Sequence, residues 1–333
     1  MAARLVRLLG RYLTLGAGLV LLNFLIPRLL PGDPLTFSSG EGLDAATPLS
    51  AAARAQLRSY YHLDDPLRRQ FGAYLGGLAR GDLGCSIDRS APVASLIGDR
   101  PPWTVGLLFF SFGIAAVLGV AAGVAAGWAA GGPRDRLLTS VAGVFAAIPE
   151  FLVAIGLLLV FAVGLRWFPL YGGKTSFADY GGGPAAFARR TLDVVRHLTL
   201  PAAALVATNA SAFLLLARDA SSGLRREPWL DVARAKGLTE REVVRAHALP
   251  NMARPLLSFA GLRFGTILGG ALVVERVFGV PGLGLLGYQA IRARDYPVLQ
   301  ALFLLSGIGV LAANLVVDLL HLHLERRRGL LDG

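Results

Sequence analysis

The chain has 333 residues, of which 54% are hydrophobic and 17% charged, with mean hydropathy +0.56. A soluble domain carries about 25% charged residues and a disordered chain is poor in apolar ones, so both classes are excluded. The net charge of +11 points to nucleic acid or to an anionic membrane face, and the placement of the charges decides between them.

Apolar runs long enough to cross about 30 Å of hydrocarbon as helices occur at 12–30, 103–130, 137–165, 198–217, 256–274 and 298–320. The predicted fold is therefore an all-α integral membrane protein with six transmembrane helices. The first run follows a basic stretch (Arg4, Arg7, Arg11), as in a signal peptide. No small-x-small cleavage site follows it, only Pro27, Arg28 and Pro31-Gly-Asp-Pro34, so it reads as an uncleaved anchor. The lone Cys85 supports neither an intramolecular disulfide nor a thiolate metal site. The second run carries Gly119, Gly123 and Gly127, and the fifth carries Gly261, Gly265 and Gly269. Each set is a small-residue stripe that lets a neighbouring helix approach closely. Glu150, after Pro149 in the third run, and Asn209 in the fourth are polar at membrane depth. Both are candidates for a solute pathway, and helix-to-helix bonding is the alternative. Arg263 in the fifth run is expected to face protein or to snorkel.

Short loops set the orientation. With the N-terminus inside, the internal segments 1–11, 131–136, 218–255 and 321–333 hold 16 Lys and Arg in 68 residues. The external segments 32–102, 166–197 and 275–297 hold 15 in 126. The basic excess is thus a topology signal, and nucleic acid is set aside as a partner because no binding module accompanies it. The predicted organisation is a tail and first helix at 1–31, a long external loop at 32–102, a core at 103–320 and a cytoplasmic tail at 321–333.

Three motifs fail on inspection. Tyr171-Gly-Gly-Lys-Thr-Ser176 resembles the end of a phosphate loop, but Phe168 stands where the first glycine belongs and the segment is external. Gly282-Leu-Gly-Leu-Leu-Gly287 has the letters of a dinucleotide fingerprint without a βαβ unit. His321 and His323 lie two apart, on different helix faces, so they do not form a metal pair.

The internal loop 218–255 is the informative segment. Pro228 suits the first position of a helix, and Trp229, Leu230, Val232 and Ala233 give it apolar positions around Arg234 and Lys236. Gly237 ends it in a left-handed cap. Thr239 and Glu242 form a capping box that starts a second helix, which Leu249-Pro250 is expected to end. Two readings are open for this pair: an interfacial helix on the lipid surface, or a knob that docks into a partner groove.

Asp231-Val-Ala233, three residues, Gly237, nine residues and then His247-Ala-Leu-Pro250 resemble the EAA loop of bacterial ATP-binding-cassette (ABC) importer permeases. Asp231, Val232 and His247 depart from the family's Glu, Ala and Ile. Ala233-Arg-Ala-Lys-Gly-Leu238 is similar to the dipeptide, oligopeptide and nickel branch. Leu30-Pro-Gly-Asp-Pro34, Leu63-Asp-Asp-Pro-Leu67, Gly81-Asp-Leu-Gly-Cys-Ser86, His197-Leu-Thr-Leu-Pro201, Arg294-Asp-Tyr-Pro297 and Asn314-Leu-Val-Val-Asp318 extend the likeness along nearly the whole chain. The tail departs, with Leu324-Glu-Arg-Arg327 where the family often has Leu-Asp-Pro-Arg.

The resemblance implies a type I importer permease fold in the bacterial inner membrane, with both termini cytoplasmic and no catalysis or cofactor in this chain. ATP and Mg would belong to one or two partner ATPases. Asp231, Ala233, Arg234, Lys236, Gly237, Leu249 and Pro250 would couple to them. The resemblance also implies a second similar permease, an external substrate-binding protein that the 32–102 loop could receive, and peptides as first cargo. Nickel chelates, glutathione and haem stay open as cargo. An ion-coupled secondary transporter is the competing class, and an intramembrane enzyme is disfavoured because the spans lack a nucleophile beside a base.

Overall fold

A computed structural model of the chain describes residues 2–29, 55, 59 and 65–327. The Leu30–Pro34 motif, the start of the Leu63–Leu67 motif, most of the loop between them and residues 328–333 lie outside the described residues. Within the described residues the elements are helices and turns, plus one isolated bridge between Cys85 and Pro92. The helices are α1 (Ala2–Leu29), α2 (Leu67–Ala79), α3 (Val93–Ile97), α4 (Pro101–Trp128), α5 (Pro133–Ala147) and α6 (Glu150–Leu157). They continue with α7 (Pro184–Leu224), α8 (Pro228–Ala235), α9 (Glu240–Glu242), α10 (Leu249–Phe278), α11 (Leu283–Ala293) and α12 (Tyr296–Arg327). Four are long and apolar enough to cross a membrane, and two bent pairs raise that number to six if each pair is one span.

Three predicted spans take a different form. The third is not one helix, because α5 and the helix that starts at Glu150 meet at 101°. Ile148 is extended (φ −87°, ψ 128°), the conformation that a following proline enforces. The fourth starts at Pro184, fourteen residues before the predicted 198, with Pro201 inside it. Forty-one residues make a helix of roughly 60 Å, about twice the hydrocarbon thickness, so one end projects beyond it. The fifth has no break at Leu249-Pro250, contrary to expectation. Helix α9 runs through a π turn at Val243–Ala248 directly into α10. A proline inside a helix clashes with the carbonyl four residues back, and the wider π turn relieves such crowding.

The chain divides into two compact units. One comprises residues 1–102 and 282–315, the other 103–281 and 316–333. In the first, Phe24 of α1 packs on Phe71 and Tyr74 of α2 at 5.0 and 5.6 Å between ring centroids. The Asn23 amide donates to the Tyr74 hydroxyl (2.9 Å), and Gln300 of α12 donates to the Asn23 carbonyl (3.0 Å). Val93 and Ile97 of α3 close a second core with Leu286, Ala290, Val298, Ala301 and Leu302. The buried Asp295 carboxylate accepts from the Ser86 hydroxyl and the Ile87 N–H. Residues 65–102 of the predicted external loop are therefore tied to α1, α11 and α12.

The second unit has a core of Leu107, Leu108, Ala154, Ala204, Leu205, Ile267, Ala271, Val274 and Phe278. The Gly119, Gly123 and Gly127 stripe of α4 lies against Ala210, Leu214 and Ser221 of α7, so close that a Cβ at any of the three would collide. The second predicted stripe is uneven: Gly261 is buried, whereas a Cβ at Gly269 would meet open space. Asp135 of α5 takes a two-pronged bond from Arg218 of α7 (2.9 and 2.8 Å). The rejected phosphate-loop segment has a packing role. Gly172 N–H donates to the Phe278 carbonyl, Gly173 abuts Trp103, and Thr175 and Tyr180 bond the Asp193 carboxylate. Sharing its hydrogen with Asp193 raises the Tyr180 phenol above its ordinary pKa.

Candidate functional site

The loop between α7 and α10 is built from its own short-range chemistry. Pro228 fixes the first turn of α8, and Leu230 and Ala233, three residues apart, point to one side. They are buried with Val243, against Trp128 and Leu238. Gly237 adopts φ +83°, the left-handed conformation that glycine tolerates without strain, and its N–H donates to the Arg234 carbonyl at 2.9 Å. Thr239 then caps the next helix. Its N–H and hydroxyl reach the Glu242 carboxylate at 2.8 and 2.7 Å, and its hydroxyl accepts the Glu242 N–H. Both predicted caps are therefore present.

Arg234 bridges the two helices. It donates Nε to Glu240 and Nη1 to Asp231, each at 2.8 Å. These carboxylates, Glu240 first, raise the guanidinium above its ordinary pKa. Trp128 Nε1 donates to the other Glu240 oxygen at 2.7 Å, which ties the loop to the end of α4. The outer face is open: Val232 is 56% exposed, Trp229 38% exposed, and Asp231 and Lys236 are exposed beside them. The His247 ring lies edge-on to that of Trp229, 6.4 Å between centroids, so the departure from the family's Ile keeps a contact with α8.

The sequence-predicted residues are sorted by this geometry. Asp231, Arg234, Lys236 and Gly237 sit on or beside the open face. Ala233 is buried and acts as a spacer. Leu249 and Pro250 lie in the continuous helix below. Trp128 and Glu240 escaped the sequence reading. The three-residue spacing of Leu230 and Ala233 signals a buried face, but nothing in the sequence pairs it with Trp128, about a hundred residues away.

The two polar candidates at membrane depth are brought together. Asn209, fully buried on α7, donates Nδ2 to Glu150 Oε1 at 3.0 Å and accepts Arg263 Nε on Oδ1 at 3.0 Å. The amide stands between acid and base, and its orientation is fixed by what each neighbour can donate or accept. Gly270 lies so close to the Glu150 carboxylate that a Cβ there would overlap it. Arg263 thus faces protein, as expected, and joins a network that the sequence did not link.

A helical membrane protein with a rigid capped loop feeding straight into a spanning helix has the form of a transporter's membrane subunit. The sequence model of the family described as binding-protein-dependent transport system inner membrane component matches residues 119–329, and the chain belongs to that family. It is the permease subunit of an ABC importer, a transport component of the bacterial inner membrane. The glutathione transport system permease protein GsiC of Escherichia coli O6:H1 is 37% identical over 315 residues, covering 95% of this chain and 94% of that protein. The oligopeptide transport system permease protein AppB of Bacillus subtilis (strain 168) is 31% identical over 328 residues, covering 98% and 99%. A solved inward-facing structure of the MetNI methionine ABC transporter aligns with TM-score 0.53 at 19% identity, covering 67% of this chain and 93% of that one. That likeness shows the fold alone.

Proposed function

We propose that this permease carries short peptides, with glutathione-like tripeptides among them, and that ATP bound and hydrolysed in separate cytoplasmic subunits drives it. The cargo reading is supported by relatives whose names specify glutathione and oligopeptides. No cofactor is assigned to this chain, and ATP and Mg belong to the partner subunits. One or two ATPase types, a second similar permease and an external substrate-binding protein complete the complex, with both termini of this chain cytoplasmic. The ion-coupled alternative is set aside by the family.

The observation that carries the coupling reading is mechanical. The outer face of α8 is open, its inner face is buried, and the helix that follows Gly237 runs without interruption into α10. A push on Trp229, Asp231, Val232 or Lys236 is therefore delivered to the spanning helix rather than absorbed by a hinge. Leu230, Ala233 and Val243 hold the lever together, Arg234 bridges its two helices on the surface, Gly237 sets its angle, and Leu249 and Pro250 transmit it. Docking biases a bundle with two states, open to either side of the membrane.

Gentle solubilisation of the tagged chain from its own cells tests this reading. Recovery of an ATPase and a second permease is the expected result. In the same pull-down Asp231→Lys reduces ATPase recovery more than Arg28→Ala does. Recovery of the chain alone, monodisperse and stable, would overturn the proposal.

A further inference from the structure

Arg263 lies near the middle of the apolar run 256–274, about 20 Å along α10 from Leu249. Its Nε is fastened to Asn209, itself in the middle of the run 198–217, so the side chain is held at depth and does not snorkel to an interface. The residue is nevertheless only half-buried. Its Nη1 and Nη2 donate to no group among the described residues. Four N–H donors of a cation left against lipid at that depth would cost several kcal/mol. The open side of Arg263 is therefore a wet or ligand-filled space.

The neighbouring surface agrees. Thr266 and Gly269, one and two turns further along α10, are both exposed, and Gly269 has open space where a side chain would be. The exposed stripe of α10 is mixed: Leu262 and Val273 flank Thr266 and Gly269, so the apolar surface is interrupted beside the guanidinium by a hydroxyl and an open gap. Glu150 does not occupy Arg263. Asn209 stands between them, donating to one and accepting from the other, so the guanidinium keeps its fork for an outside acceptor. A planar fork of N–H donors on a fixed cation matches a carboxylate.

We propose that Arg263, oriented by Asn209 and Glu150, is a binding point for a carboxylate of the cargo in the membrane pathway. This rests on the peptide reading above, since every free peptide brings such a group. It also places the site on the helix that the cytoplasmic loop moves, so the lever shifts the cation that holds the cargo.

The test uses the assembled complex with binding protein in proteoliposomes. In a Cys85→Ser background, Arg263→Cys is exposed to a membrane-impermeant anionic methanethiosulfonate reagent, and labelling of this chain is expected. ATP-driven uptake of trialanine is then compared for Arg263→Lys and Arg263→Gln. Gln lowers uptake about tenfold or more, the scale of a charge-assisted bond. Lys, which keeps the charge but loses the fork and the bond to Asn209, falls between wild type and Gln, and assembly and ATP hydrolysis stay at the wild-type level. No labelling, wild-type uptake by Gln, or joint loss of assembly in Gln and Lys would each overturn the assignment, the last by marking an ion pair to the second permease. Failure of the wild-type complex to take up trialanine while hydrolysing ATP breaks the peptide reading instead, and the labelling still decides whether Arg263 faces water.

Discussion

The loop at 228–248 and the Glu150–Asn209–Arg263 chain both join acids to an arginine through hydrogen bonds of 2.8–3.0 Å, yet they stand in different solvents. Around the loop, water replaces any partner that is lost. The Asp231 and Glu240 side chains are 75% and 56% exposed, and ion pairs this wet contribute little to stability. The loop is held instead by Leu230, Ala233, Val243 and Trp128 packed beneath it. At membrane depth the Asn209 amide is fully buried, so water cannot replace it between Glu150 and the Arg263 Nε, whatever the open side of the guanidinium meets. Similar bonds are therefore expendable in one place and structural in the other.

That contrast can be broken at its strongest point. Asn209→Leu strands Glu150 and Arg263 together, and we expect a loss of about 4 kcal/mol, because removing one partner leaves charges unpaired at depth. Thermal unfolding of the purified complex in detergent measures it, and a wild-type melting temperature would void the comparison. Gly237→Pro comes next. The ring cannot adopt φ +83° and removes the N–H that bonds Arg234, so the joint rearranges at a cost of about 3 kcal/mol. Membrane insertion should persist while ATP-driven uptake is lost, and normal uptake would count against the lever.

The smaller effects sharpen the picture. Leu230→Ala removes the fully buried anchor of α8 and should cost about 2 kcal/mol, read as faster hydrogen exchange of amides 228–248. Thr239→Ala removes the helix cap and should cost about 1 kcal/mol on the same measurement. Arg234→Ala should leave that exchange almost unchanged. Its effect should appear only as weaker ATPase recovery at low salt, which high salt erases in both proteins. Faster exchange for Arg234→Ala than for Leu230→Ala would reverse the ranking of ions and packing.

The apolar runs, the class and the local geometry of the loop were legible in the sequence, because each is written in neighbouring residues. Hydrocarbon thickness fixes how many apolar residues a span needs. A left-handed cap demands glycine at 237, and a capping box needs only Thr239 and Glu242, three residues apart. What depends on a distant neighbour was out of reach. Two glycine stripes with the same spacing look alike in the sequence, yet α4 presses its stripe against α7 while Gly269 faces open space. Leu249-Pro250 reads locally as a helix stop, and only the π turn before it lets the helix continue. Glu150, Asn209 and Arg263 are each odd residues in separate apolar runs. Packing of α6, α7 and α10 decides that they bond one another, because a polar group at membrane depth must find its partner across helices rather than in water.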